Sequence, residues 1–269
     1  MLVRDLTAAL LAAFPLSDAE PWDHVGLSVG DPDARVTGVC CALDATLANV
    51  RAAAECGGNV LLTHHPVYIS APNAFSPASP EVPSSASVVY EAARTGVSII
   101  SLHTNLDRSL AARRALPALA GLDPYSSLEH PNEPELTGLG ALCNLRQPRV
   151  LGDFVRELAD AFATEPRVWG SPETALSRVA FLGGSLGDFG SRAISHGAHT
   201  VVCGEAGYHV AQDLALRGCA VVLLGHDRSE EPFTCVLAQA ARMAGVDPAC
   251  VHIIPGSRQW WTASKGVRP

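Results

Sequence analysis

Residues 61–67 read LLTHHPV, an apolar run that stops at two histidines and a proline. The run belongs to a strand expected over 59–63, and Pro66 removes a ladder donor just beyond it. Upstream, 36–43 reads as a strand and 46–56 as a helix. Downstream, 85–94 reads as a helix, 97–102 as a strand and 108–119 as a helix. Strand and helix in alternation imply a parallel sheet flanked by helices. In open α/β sheets ligands bind at the carboxyl ends of the strands, which is where His64 and His65 stand.

Two more apolar runs end in the same way. SLHTNLD (101–107) carries His103 and Asp107, and LLGHDRSE (223–230) carries His226 and Glu230. Successive side chains on a regular strand alternate faces. His64 and His65 can therefore share a site only where the strand unwinds, or else each reaches a different metal. Asp107 and Glu230 are the carboxylates available to bridge a metal pair. His226 and Glu230 have the i, i+4 spacing of one helix face. Ser229 as N-cap and Pro232 in the first turn favour instead a helix that opens at Glu230, with His226 ending the strand. Taken singly, each histidine reads as a hydrogen-bonded loop residue; the five together, at strand ends, point to a metal centre. Imidazole and carboxylate without thiolate suit Zn, Fe, Mn, Co or Ni rather than Ca or Mg. Two such ions about 3.5–4 Å apart would lower the pKa of a bound water and polarise a phosphoryl or carbonyl oxygen.

Composition narrows the alternatives. Of 269 residues 48% are hydrophobic and 17% charged, enough to bury a large core. The formal charge is −8 with no basic run, which argues against nucleic acid as the main partner. Lys265 is the one lysine, so the chain has no phosphate-binding GxxxxGK[ST] loop and no lysine placed mid-fold for a Schiff base. The eight cysteines form no CxxC, and Cys40, Cys41, Cys143, Cys203 and Cys219 lie in or beside apolar runs as small hydrophobes. A chain this long and apolar does not call for a disulfide framework, which places it in the reducing cytoplasm. Leu2, Leu6, Leu10 and Phe14 recur at helical spacing, so the N-terminus reads as an amphipathic helix and not a signal peptide. No run approaches the roughly 20 residues of a membrane span.

The second half of the chain repeats the alternation. The polar segment 123–135 (DPYSSLEHPNEPE) reads as a linker. Strands are expected over 136–143, 179–182, 200–203, 220–224 and 250–254, and helices over 150–162, 189–195, 208–217 and 231–244. If His226 and Glu230 join the other three ligands, the C-terminal part must fold back onto the N-terminal part. The expected organisation is then a metal-binding α/β domain from 1–125 plus 218–269, with a smaller α/β domain, 126–217, inserted into it.

Other residues leave alternatives open. His103 is either an outer partner of the site or a buried histidine bonded to backbone. Glu205 and His209 are either an acid/base pair reaching the cleft from the inserted domain or an ordinary helix-face pair. AFLGGSLGDFG (180–190) is a tight strand-to-helix turn whose backbone NH groups could also cradle an anion. The Pro- and Ser-rich loop 70–87 is a lid or simply mobile. Trp260 and Trp261 suit a subunit contact, a lid or tail packing.

Together PWDHVGLSVG (21–30), LDAT (43–46), LLTHHPV, SLHTNLD, GEAGYH (204–209) and LLGHDRSE resemble the Nif-three-like family. Its bacterial members are often labelled GTP cyclohydrolase 1 type 2-like, dinuclear-metal-centre proteins. The resemblance implies two α/β domains, a homohexameric ring around an inner cavity, and two divalent transition-metal ions per subunit. It assigns the metal to His64, His65, Asp107, His226 and Glu230, and a supporting role to Thr104 and Asn105. The chain departs from the family at His24, where Asn is usual, at the GGSLG turn, and at DRSE after the GH pair. The function expected is metal-dependent hydrolysis of a nucleotide or related small molecule, with Glu205 or His209 carrying protons. The alternative is a non-enzymatic metal carrier, sensor or interaction scaffold.

Overall fold

The computed structural model describes residues 1–257, 260 and 261; Lys265 lies outside them. Its helices and strands, in chain order, are α1 (Val3–Ala13), β1 (Gly26–Val29), β2 (Val39–Ala42), α2 (Leu47–Glu55), β3 (Val60–Thr63), α3 (Ser84–Thr95), β4 (Ser98–Ser101), α4 (Thr104–Asp107), α5 (Leu110–Leu119) and β5 (Pro124–Ser126). They continue as β6 (Ala141–Val150), α6 (Leu151–Ala161), β7 (Arg167–Trp169), β8 (Ala175–Phe181), α7 (Phe189–Ser195), β9 (Thr200–Cys203), α8 (Tyr208–Leu216), β10 (Ala220–Leu223), α9 (His226–Glu230), α10 (Phe233–Met243) and β11 (Val251–Ile253).

β2, β3 and β4 are buried along their whole length and carry no polar alternation, as expected of parallel strands covered on both faces. They form a five-stranded sheet in the order β1-β4-β3-β2-β11, antiparallel only at β1. In register, Thr63 pairs with Ala42 on one side and Ser101 on the other, so three carboxyl ends finish level. The second sheet runs β5-β6-β8-β9-β10-β7, with β8, β9 and β10 parallel. The fold is therefore two α/β domains, the second built between α5 and α10 of the first.

One core spans both sheets. Val60, Leu62, Ile100 and Leu102 of the first share a cluster with Val179, Phe181, Val202 and Val222 of the second, with Phe154 of α6 and Leu237 of α10 between. Alternate residues of β2–β4 face outward to α2 and α3, and those of β8–β10 to α7 and α8. Val3, Leu6 and Leu10 bury one face of α1, the amphipathic helix expected from its spacing. The five cysteines expected in apolar surroundings are all buried. Among the described residues no helix is long and apolar enough to cross a membrane.

Several elements differ from expectation. GLSV (26–29), for which no strand is expected, pairs antiparallel with β4, and Pro124–Ser126 of the expected linker pairs with β6. β7 was unexpected; three residues with one buried neighbour strand leave no periodic signal. The helix expected over 108–119 starts two residues later, at Leu110, since Ser109 caps α5 by accepting from Ala112 N at 3.0 Å. β10 belongs to the second sheet, not to the 218–269 part of the first domain, because it continues the parallel series from β9. The return to the first sheet comes with α10 and β11.

Phe154 is fully buried, edge-on to Phe181 at 6.5 Å and under the Arg149 guanidinium at 5.2 Å. Phe154→Ala should cost about 3–5 kcal/mol in urea unfolding. A cost under about 1 kcal/mol would show that the shared core collapses around the gap.

Candidate metal centre

The carboxyl ends of β2, β3 and β4 meet those of β8, β9 and β10. His64 and His65 follow β3, and His103 precedes α4, which ends at Asp107. From the second sheet come His226 and Glu230, on the single turn of α9 after β10. The structure thus brings together all five residues singled out in the sequence, and adds His103. The donor atoms of His64, His65 and His103 lie within 4.8 Å of one another, as do those of His65, His226 and Glu230.

The geometry of α9 corrects the sequence reading. The helix starts at His226 with Gly225 as N-cap, and Ser229 lies inside it. His226 and Glu230 do share one helix turn; their side chains meet at 3.1 Å. Ser229 Oγ instead donates to His226 O at 2.8 Å and accepts from Gly184 N at 2.9 Å. That bond commits one NH of the glycine turn to the protein and weakens its reading as an anion cradle. The glycines of that turn make room: Gly184 has φ +59°, and a Cβ there would stand 2.3 Å from Glu230 Oε1.

Each of the four imidazoles is fixed through Nδ1. His64 Nδ1 donates to Leu102 O at 3.0 Å. His65 Nδ1 bonds Asp44 at 2.8 Å, His103 Nδ1 bonds Asp23 at 2.8 Å, and His226 Nδ1 bonds Glu205 at 3.1 Å. Such outer acceptors set the tautomer and turn the other ring nitrogen toward a metal. Asp23 is itself held by Thr104, through its backbone N at 3.0 Å and its hydroxyl, and by His24 N at 2.7 Å. Asn105 accepts from His103 N at 3.0 Å and donates to Phe14 O at 2.8 Å. Thr104 and Asn105 therefore support the site as the resemblance implied.

Asp23 and Asp44 join the site only in the folded chain. Asp44 carries the signal that selected the ligands, an acid just past an apolar strand. Asp23 sits in a loop 80 residues from its partner His103, and no spacing rule finds such a pair. Glu205 lies ahead of α8, so Glu205 and His209 are not a helix-face pair. Glu205 holds His226; His209 is exposed on the first turn of α8, edge-on to Tyr208 at 5.2 Å.

The donor set fits a metal. His64 Nε2 and Asp107 Oδ1 are buried without a hydrogen-bond partner, 3.5 Å apart, and His64 Nε2 is 3.7 Å from Glu230 Oε1. Both separations exceed hydrogen-bond range, and leaving such atoms bare inside a protein is costly. A divalent ion would satisfy them. Burial pushes the Asp107 carboxyl above its usual range. Burial also acts on Glu230, but the imidazoles of His226, His64 and His65 outweigh it and hold Glu230 well below. For His65, burial is overcome by Asp44 and Glu230, which push it up to about 10. His226 is raised to about 9, chiefly by its hydrogen bond to Glu230. A cleft of about 650 Å³ opens on the site, and its walls include Trp22, Asp107, Phe189, His226 and Phe233. Trp260 borders Gly225, whose Cβ would lie 3.5 Å from the indole.

These shifts fix a pH dependence. His65 and His226 bind protons more tightly folded than unfolded, where histidine titrates near 6.5. Their stabilisation is complete below about pH 6.5 and disappears as pH rises through about 9 and about 10. The melting temperature of metal-stripped protein should therefore fall between pH 6.5 and 10, while adding metal at pH 7 should release protons. A flat melting profile with no proton release would mean these imidazoles are neutral in the folded chain.

The geometry can be set beside known proteins. The sequence matches the profile of the Duf34/NIF3 (NGG1p interacting factor 3) family over residues 1–253. It is 27% identical over 240 residues to a Clostridium acetobutylicum protein named GTP cyclohydrolase 1 type 2 homolog, covering 88% of each chain. A Streptomyces coelicolor protein of the same name is 29% identical over 247 residues, covering 88% of this chain and 84% of that one. Among solved structures, a hypothetical protein of Staphylococcus aureus superposes with a TM-score of 0.87 at 23% identity, covering 98% of this chain and 99% of that one. A Bacillus cereus protein related to NIF3 gives 0.84 at 19%, covering 98% of each. The fold is theirs, and the family profile spans nearly every described residue: the chain belongs to the Duf34/NIF3 family.

Proposed function

We propose that the protein binds two divalent transition-metal ions per subunit and uses them to hydrolyse a nucleotide or related small molecule. The observation that carries the metal reading is the buried, unpartnered pair His64 Nε2 and Asp107 Oδ1, in a ring of imidazoles each held through Nδ1. His64, His65, His103, Asp107, His226 and Glu230 would hold the ions, which would supply Lewis acidity and a lowered water pKa. Hydrolysis rather than mere storage is supported by the cleft, since catalytic sites stay open and structural ones are closed. The aromatic walls Trp22 and Phe189 suit a planar ring. Glu205 is more than half exposed beside His226, so its carboxylate can exchange protons with water and with a bound molecule. The name shared by the curated relatives is consistent with a nucleotide substrate.

A carrier or sensor role is the second reading, favoured by the 42% exposure of the His226 side chain, which would let a ligand detach. One set of measurements separates the two. Metal content of untagged protein should be about two per subunit, falling in His64→Ala and Glu230→Ala. With metal restored, nucleotides should be turned over by the wild type and not by those variants. Glu205→Gln, whose amide oxygen can still accept from His226 Nδ1, should keep its metal when metal is in excess and lose about 10²-fold or more in turnover if Glu205 carries protons. Rapid metal exchange with a chelator and no turnover would establish the carrier; no metal uptake at all would remove both readings.

The homohexamer belongs to the same proposal. A broad apolar trough of about 1350 Å³ runs between α1, α5 and α10, past Ala9, Leu119, Cys235 and Met243. Leu119 and Met243 stand exposed along it, apolar surface that a neighbouring subunit could cover. Light scattering on the purified protein should give six times the 28.1 kDa chain mass; a monomer at micromolar concentration would rule the assembly out.

A further inference from the structure

Away from the metal centre two thiols are in contact. Cys40 of β2 is 1% exposed, packed with Val50, Ala53 and Leu61. Cys56 caps the C-terminus of α2 and faces solvent. Their sulfurs are 2.9 Å apart. The backbone on either side imposes this approach. Thr37 N donates to Asn59 Oδ1 and Thr37 Oγ1 to Gly57 O, each at 2.8 Å. Gly38 and Gly58 lie so close that a Cβ on either would come within 3.2 Å of the other's backbone. Both cysteines thus ride on segments stapled together within three residues of each sulfur. A disulfide needs about 2.05 Å between sulfurs, so the exposed Cys56 side chain must turn slightly and give up its weak bond to Ala53 O at 3.3 Å.

We propose that Cys40 and Cys56 are a peroxide-sensitive pair that closes to a disulfide. Cys56 is the sulfur a peroxide can reach. Its thiolate attacks one peroxide oxygen: an S–O bond forms, the O–O bond breaks, and hydroxide leaves to take up the proton that Cys56 gave. Cys40 sulfur then attacks Cys56 sulfur, forming S–S and breaking S–O; the departing hydroxide takes the Cys40 proton as water. Two thiols give up two electrons and two protons, and the peroxide becomes two waters. Burial, with Cys56 beside it, pushes the Cys40 thiol up to about 12, which leaves the exposed Cys56 as the first sulfur to react; Cys40 attacks second, aided by contact with Cys56 and losing its proton to the departing hydroxide. The bridge would close the segment 40–56, which contains Asp44, the acceptor for His65.

The test uses the full chain and hydrogen peroxide. No lysine precedes Lys265, so trypsin cuts at Arg35, Arg51 and Arg94 and leaves Cys40 on peptide 36–51 and Cys56 on 52–94. After oxidation these two peptides should appear joined, and separate again on reduction. The link should be absent in Cys56→Ser and retained in Cys41→Ala. Oxidised protein should melt about 5 °C or more above reduced protein, with no such gain in Cys56→Ser. A link through Cys41, a Cys56–Cys56 bond between chains, or Cys56 sulfinic acid as the main product would overturn the proposal.

Discussion

The buried carboxylate of Glu230 is where the two halves of the molecule meet. It is carried by the turn after β10 of the second sheet, yet one oxygen accepts from His65 of the first at 2.9 Å while the other faces His64. A carboxylate 4% exposed is tolerated only because imidazoles surround it. Those imidazoles are in turn held by Asp44, Glu205 and the Leu102 carbonyl, so displacing Glu230 would leave a buried charge cluster unbalanced from both sides. The level ends of β2–β4 and the parallel run β8–β10 are the scaffold this contact needs.

Space at the site is set by absent side chains as much as by present ones. A Cβ on Gly204 would stand 2.6 Å from both Gly184 O and Ser229 Oγ and 2.9 Å from His226 Cα. The loops after β8 and β9 can therefore lie against α9, and Glu205 N bonds Gly184 O at 3.0 Å across them. GEAGYH and the GGSLG turn, two separate motifs in the sequence, are one wall in the fold.

What the sequence made legible follows from burial. β2, β3, β4, β9 and β10 are covered on both faces and read as unbroken apolar runs, so they and the candidate ligands at the ends of β3, β4 and β10 can be found. β1, β5 and β7 are short edge strands whose pairing depends on partners far along the chain. The α9 turn escapes a reading by residue type because Ser229 resembles a helix cap, while its hydroxyl bridges to Gly184, 45 residues away. The roles of Asp23 and Asp44 depend on contacts of the same long-range kind. Residue type and strand position pick out the candidate ligands; only the folded chain shows what aims them.

The shared core has a further meaning. The Phe233 ring lies 5.1 Å from His64, and Phe233 belongs to the same cluster as Phe154, Phe181 and Leu237. Any ion held by residues from both sheets must draw its affinity partly from how firmly those sheets are pressed together. Binding strength and interdomain packing are then linked quantities. The affinity of such a centre would be written in part into apolar side chains that no ion touches.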